Sequence, residues 1–215
     1  MLHEILWVSI IGAFINLDEH TMIQSMICRP IVACPVIGCL LGDIKTGFIL
    51  GILLELILFN SLPVGATTPL NSSVTAVILS GLCILVSQII KVAVSPALMI
   101  FIMVFAIPTG ILFKYLEISK RKLNIIIAHA AEKSIINGRL KAVEWATYAG
   151  ILTGYIIAFV YILVFMLMGT YFLPKLLAIL PEWVMEEFSY ASMFIFTLGI
   201  AVVANTFRVR LWKKN

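Results

Sequence analysis

The sequence has little charge, few cysteines and no polar stretch long enough to make a solvated domain. Only 12% of its 215 residues are charged, whereas 62% are hydrophobic, with a mean hydropathy of +1.11. One soluble core of this length cannot bury so much apolar surface, which excludes a free-standing soluble enzyme and makes lipid part of the solvent. Cys28, Cys34, Cys39 and Cys83 lack Cys-x-x-Cys spacing and lie in or beside apolar runs, so they read as small buried hydrophobes and not as a zinc site or a disulfide framework. His3, His20 and His129 are scattered, without metal-ligand spacing or a triad partner. The Lys45-Thr46 pair lacks the glycines that a phosphate-binding loop needs before it. No catalytic nucleophile, metal site or cofactor is expected.

The positive charge that is present has a pattern. Seven of the fifteen Lys and Arg residues lie between Lys114 and Lys141, and Arg208, Arg210, Lys213 and Lys214 make a second block. Basic clusters flanking apolar spans mark the cytoplasmic side of a membrane protein and are not a nucleic-acid footprint. The link holding Glu182, Glu186 and Glu187 with only Lys175 is then expected to face outward, between spans at about 146–172 and 190–207.

A bilayer core of about 30 Å takes roughly 20 helical residues, which allows some five to seven spanning or re-entrant helices in an all-α integral membrane protein. The first apolar run, 5–17, has no basic start and no cleavage motif, and reads as a retained membrane segment. The run at 30–42 is too short to cross and contains Pro35, and the run at 47–64 carries Glu55 in its middle. The stretch 65–73, Gly-Ala-Thr-Thr-Pro-Leu-Asn-Ser-Ser, is polar between apolar flanks. It either lines a cavity, as irregular backbone at membrane depth must, or is a plain loop. Broken helices are therefore expected in the N-terminal half. Segments at 74–90 and 92–113 follow, and 114–144 then reads as an amphipathic helix on the cytoplasmic membrane face, ended by Asn137-Gly138, where it meets a soluble partner or rests on lipid headgroups. No further domain is visible, so 1–215 reads as a single membrane-embedded domain with an approximate cytoplasmic segment at 114–145.

Gly47, Gly51 and Glu55 recur at i, i+4 and i+8, placing a carboxylate on the stripe where two glycines admit a close neighbour. A charge at that depth costs several kcal/mol unless it is paired or faces water. A carboxylate accepts hydrogen bonds from sugar hydroxyls, so Glu55 is the leading candidate for solute recognition, the alternative being a structural hydrogen bond to a neighbouring helix. Asp43 and Lys45, in the turn 42–46, are either a solvated connector or a re-entrant tip near the solute path. Thr67 and Asn71 add polar groups within the 65–73 stretch.

Leu17-Asp18-Glu19, Arg29-Pro30-Ile31-Val32-Ala33-Cys34, Gly42-Asp43-Ile44-Lys45-Thr46-Gly47, Leu54-Glu55-Leu56-Ile57, Val64-Gly65-Ala66, His129-Ala130-Ala131-Glu132-Lys133 and Asn137-Gly138-Arg139-Leu140, in this order and spacing, resemble the IIC permease subunits of the mannose/fructose/sorbose-class phosphotransferase systems. The resemblance covers most of the chain. It implies a multi-pass subunit of the bacterial cytoplasmic (inner) membrane that binds a hexose-type sugar and translocates it while IIB phosphorylates it. The implied partners are a IID membrane subunit, IIA and IIB phosphocarriers and further copies in an oligomer, with the phosphohistidines on the soluble subunits. The family commonly has an Asp where this chain has Asn71, and its members continue beyond the point matching Phe207, which describes a short member. A diverged binding or scaffold subunit without transport is the alternative.

Overall fold

The structure, a computed structural model, describes residues 1–20, 25–58, 70–136 and 141–212. Among them are seven helices and no strand: α1 (Leu2–His20), α2 (Pro30–Leu40), α3 (Ile44–Leu58), α4 (Ser72–Ile90), α5 (Pro96–Ile136), α6 (Lys141–Ile179) and α7 (Glu182–Trp212).

The centre is α4. Its residues are apolar on every face, and a helix of that kind is stable only when encased; α1, α2, α3, α5 and α6 all pack on it. Asn71 starts it as an N-cap, with extended backbone and a side chain that accepts from the Val74 N–H, and Lys91 ends it in the left-handed region at φ 57°. α1 runs antiparallel beside it, with Gly81 against Val8 and Gly12 against Val77.

α2 and α3 form a hairpin of 11 and 15 residues. At 1.5 Å per residue these reach about 16 and 22 Å, less than the roughly 30 Å of a hydrocarbon core, as expected for broken elements. Pro30 opens α2 at its first turn, where a missing N–H costs nothing. The turn between the two helices depends on Gly42 at φ +84° and on Asp43, whose N–H donates to the Gly38 carbonyl at 2.8 Å. The helices then meet backbone to backbone: a Cβ built on Gly47 would lie 2.6 Å from the Cys34 carbonyl oxygen, and one on Gly51 would lie 2.7 Å from that of Pro30.

The second half departs from expectation in two places. The amphipathic stretch after Lys114 is no separate surface helix but the continuation of α5, 41 residues long. No glycine or proline falls between Gly110 and Gly138 to stop it. Its apolar positions face the first turns of α6 instead of lipid headgroups, across a groove lined by Asn124, Ile127, Ala131, Val143, Thr147 and Gly150. The Asn137-Gly138 stop lies outside the described residues, although α5 does end at Ile136. Nor is there a long acidic link: α6 continues to Ile179 and α7 begins at Glu182, with the break at Pro181. The Tyr161 hydroxyl ties α6 to α5 by donating to the Thr109 carbonyl, and α7 closes on α5 through Phe101 and Phe188, with ring centroids 5.9 Å apart.

Candidate functional site

Four helix ends converge on one side of α4. α1 finishes, α2 starts, α3 finishes and α4 starts there, and the register is fixed by a short chain of contacts. The Cys34 thiol donates to the Ala76 carbonyl at 3.4 Å, Gly51 lies against Pro30 and Ile31, and Glu55 follows one turn later, toward the Asn71 end of α4. Glu55 Oε1 lies 3.6 Å from Arg29 Nη1, while Oε2 is buried without a hydrogen-bond partner. Arg29 is the N-cap position of α2 and is 40% exposed, so the pair is loose and leaves a carboxylate oxygen for another donor.

The second cluster joins α1 to the start of α4. Asn71 is 1% exposed and Asn16 3%, both in a polar knot. Asn16 Nδ2 donates to Asn71 Oδ1 at 3.3 Å and to Ser73 Oγ at 2.9 Å, and Asn71 Nδ2 donates to Glu19 Oε2 at 3.1 Å. Beside it Asp18 accepts from the Ser25 and Ile27 N–H groups, both at 3.2 Å, and so shapes the link into α2. Cys28 sits in that link; burial, reinforced by the charges of Glu19 and Asp18, pushes its thiol up from the ordinary range.

The structure separates the candidates into two groups. Glu55 and Asn71 belong to the convergent end. Asp43 and Lys45 lie at the other end of the α2–α3 hairpin, where the Leu41 carbonyl accepts from Gln88 Nε2 at 3.3 Å. Asn71 and Gln88 are 17 positions apart on α4, roughly 25 Å of helix. Asp43 there caps α3, accepting from the Thr46 N–H at 3.1 Å and from its hydroxyl, and Lys45 is exposed. Thr67 lies outside the described residues. Sequence reasoning did not single out Asn16, Glu19, Arg29 or Ser73 as site residues. The available signal was a buried-type amide in an apolar helix followed by two acids with no nearby base.

A family described as "PTS system sorbose-specific iic component" matches residues 2–211. The chain belongs to this family. Among curated relatives, the mannose-specific EIIC component of Escherichia coli K12 is 30% identical over 181 residues, 84% of this chain and 65% of that protein. The sorbose-specific EIIC component of Lacticaseibacillus casei is 26% identical over 206 residues, 95% and 69% of the two chains. The chain thus spans about two thirds of the length of the mannose-specific relative. Two solved structures share the fold at 24% identity, each covering 96% of this chain. One is described as "Structure of membrane protein", with a TM-score of 0.72 over 78% of that chain. The other is the mannose transporter ManYZ with microcin E492, at 0.63 over 79% of that chain. This IIC-family chain is an all-α, multi-pass integral membrane protein.

Proposed function

We propose that this IIC-family chain is the sugar-permease subunit of a phosphoenolpyruvate-dependent phosphotransferase system. It binds a hexose-type sugar at the convergence of α1, α2, α3 and α4 and passes it across the bacterial inner membrane as a IIB partner phosphorylates it. The observation that carries the reading is Glu55, a carboxylate on a membrane helix with one oxygen loosely paired to Arg29 and the other buried without a partner. A sugar hydroxyl supplies the missing donor. Asn71 offers the second N–H of its amide at the same end, and the turn holding Asp43 and Lys45 positions or gates the α2–α3 hairpin from its far side. Thr67 contributes a further hydroxyl. In this reading residues 1–215 form one membrane-embedded unit, with segment 114–145 on the cytoplasmic side, working with IID, IIA and IIB proteins in an oligomer; this chain takes no part in phosphoryl transfer.

The test is uptake of labelled hexoses by cells expressing the chain with its IIA, IIB and IID partners. Glu55→Gln removes one charge-assisted hydrogen bond, worth about 1.5–3 kcal/mol, and is expected to lower uptake roughly tenfold or more at unchanged protein level. If the wild type gives neither uptake nor sugar phosphate with its partners present and folded, the permease reading fails in favour of a scaffold subunit.

A further inference from the structure

The amide of Asn71 can be oriented from chemistry alone. The atom 2.9 Å from the Val74 N–H must be the oxygen, because a backbone N–H only donates. Nδ2 therefore faces Glu19 Oε2 at 3.1 Å. Oδ1 has two lone pairs, filled by Val74 and by Asn16 Nδ2. Ser73 Oγ has one proton and two possible acceptors, Asn71 Oδ1 at 2.9 Å and Glu19 Oε2 at 3.2 Å, while it accepts from Asn16 at 2.9 Å. With Oδ1 already filled, that proton belongs on Glu19. One oxygen of Glu19 then receives two donors from the first residues of α4, and an oxygen that receives two donors carries no proton of its own. The positive end of the α4 dipole favours the same charge state.

We propose that Asn71 is a positioning residue: together with Ser73 it fixes Glu19 as an ionised acceptor for a solute hydroxyl, so that this side of the site holds no exchangeable proton. The inference rests on the reading of this end as the solute site and adds a second carboxylate, from α1, to Glu55 from α3. Asn71 itself has no acceptor to offer, because its carbonyl is spent within the protein. Replacing the amide by a carboxylate keeps the cap on Val74 but sets two carboxylates about 3.1 Å apart, where one proton must bridge them. The other charged groups at this end are Asp18, already bonded to Ser25 and Ile27, Arg29 with Glu55, the Cys28 thiol, and from α5 Lys114, Glu117 and Lys120, the last beside Leu17 at Gly154.

Infrared titration of the full chain in lipid nanodiscs reads the carboxyl protons directly and is blind to the imidazole of His20, the next residue in sequence. Glu19→Gln is expected to remove no protonated-carboxyl band from the wild type across neutral pH. Asn71→Asp is expected to gain one, which disappears when Glu19→Gln is added. Loss of such a band from the wild type, or no gain in Asn71→Asp, overturns the proposal. Binding of labelled mannose and sorbose, measured by equilibrium dialysis, reads the contact. Wild-type affinity is expected to be flat with pH, Glu19→Gln at least about tenfold weaker, and Asn71→Asp pH-dependent. If Asn71→Asp does not fold, Asn71→Ser keeps a cap but loses the donor to Glu19, and should bind about tenfold more weakly; unchanged binding overturns the positioning role. Normal binding by Glu19→Gln alongside lost binding by Glu55→Gln removes Glu19 from the site and leaves the solute reading intact. A wild type that binds neither sugar sinks the solute reading, and the infrared result still decides the Asn71–Glu19 pair.

Discussion

α4 and α6 are nearly equal in apolar character, with mean hydropathies of 2.2 and 2.5 over their most apolar windows, yet 83% of one window is buried within the protein and 22% of the other. Hydropathy therefore says that both helices avoid water but not what replaces it. The difference lies in shape. α4 is contacted all round through small residues, with Gly12 of α1 and Gly169 of α6 admitting Val77 and Leu82. α6 buries one stripe, Gly154, Ala158, Ile162, Met166, Gly169 and Leu173, and turns Leu152, Ile156, Val160 and Val164 outward at four-residue spacing. The polar groups follow the same division: Asn16, Asn71, Ser73 and Glu55 gather around the enclosed half, where unsatisfied polar atoms are expensive and hydrogen bonds are specific.

The largest effect expected from breaking this division is at the α2–α3 contact. Gly47→Val would bring a Cβ within 2.6 Å of the Cys34 carbonyl oxygen and 3.0 Å of Pro35 Cα, and backbone atoms on a proline-containing helix do not yield as a side chain does. A cost at or above the upper end of the usual overpacking range, about 3 kcal/mol, is expected in thermal unfolding of the purified protein; a wild-type Tm would show that the hairpin is not held by this contact. Asn71→Ala comes next. It removes the cap of α4, worth up to about 2 kcal/mol, and strips Asn16 and Glu19 of partners in the buried knot. Asn71→Ser, which retains an oxygen for Val74, should recover part of that loss in the same melt.

Much of the enclosed half could be read from the chain. The glycine stripe at Gly47 and Gly51, the turn at Gly42 and the shortness of 30–42 follow from local spacing, and the structure has each of them. Other features depend on register between distant segments. Asn16 and Asn71 are 55 positions apart, and nothing in either neighbourhood names the other. Asp43 and Asn71 each look polar beside an apolar run, but only the packing of α2 on α4 puts them at opposite ends. The amphipathic pattern after Lys114 misled for a physical reason. A helix lying on lipid and a helix paired with an antiparallel neighbour both need one apolar face, so periodicity alone does not choose between them.

A smaller effect is expected where the two halves meet. Tyr161→Phe deletes the hydroxyl that donates to the Thr109 carbonyl and leaves the ring in place against Phe113, 4.9 Å between centroids. Hydrogen bonds between membrane helices average about 0.6 kcal/mol, so a loss near that value is expected from unfolding in mixed micelles. A loss several times larger would place α5 and α6 with the enclosed half.

The smallest effect should come from the outward stripe of α6. Val160 is 49% exposed and Ile156 equally so, and neither fills a contact that the described fold needs. Val160→Ala and Ile156→Val remove methyl groups from a surface whose solvent is hydrocarbon in both folded and unfolded-in-membrane states, so burial gives almost no driving force. Changes within about 0.5 kcal/mol are expected for the purified chain. The same variants in the assembled complex are the sharper measurement. If the stripe faces lipid, stability stays flat there too; a loss of about 1–2 kcal/mol that appears only with partners present means that α6 is encased in the assembly as α4 is within the chain. Equal hydropathy would then reflect equal burial, and the contrast between the two helices would belong to the isolated subunit alone.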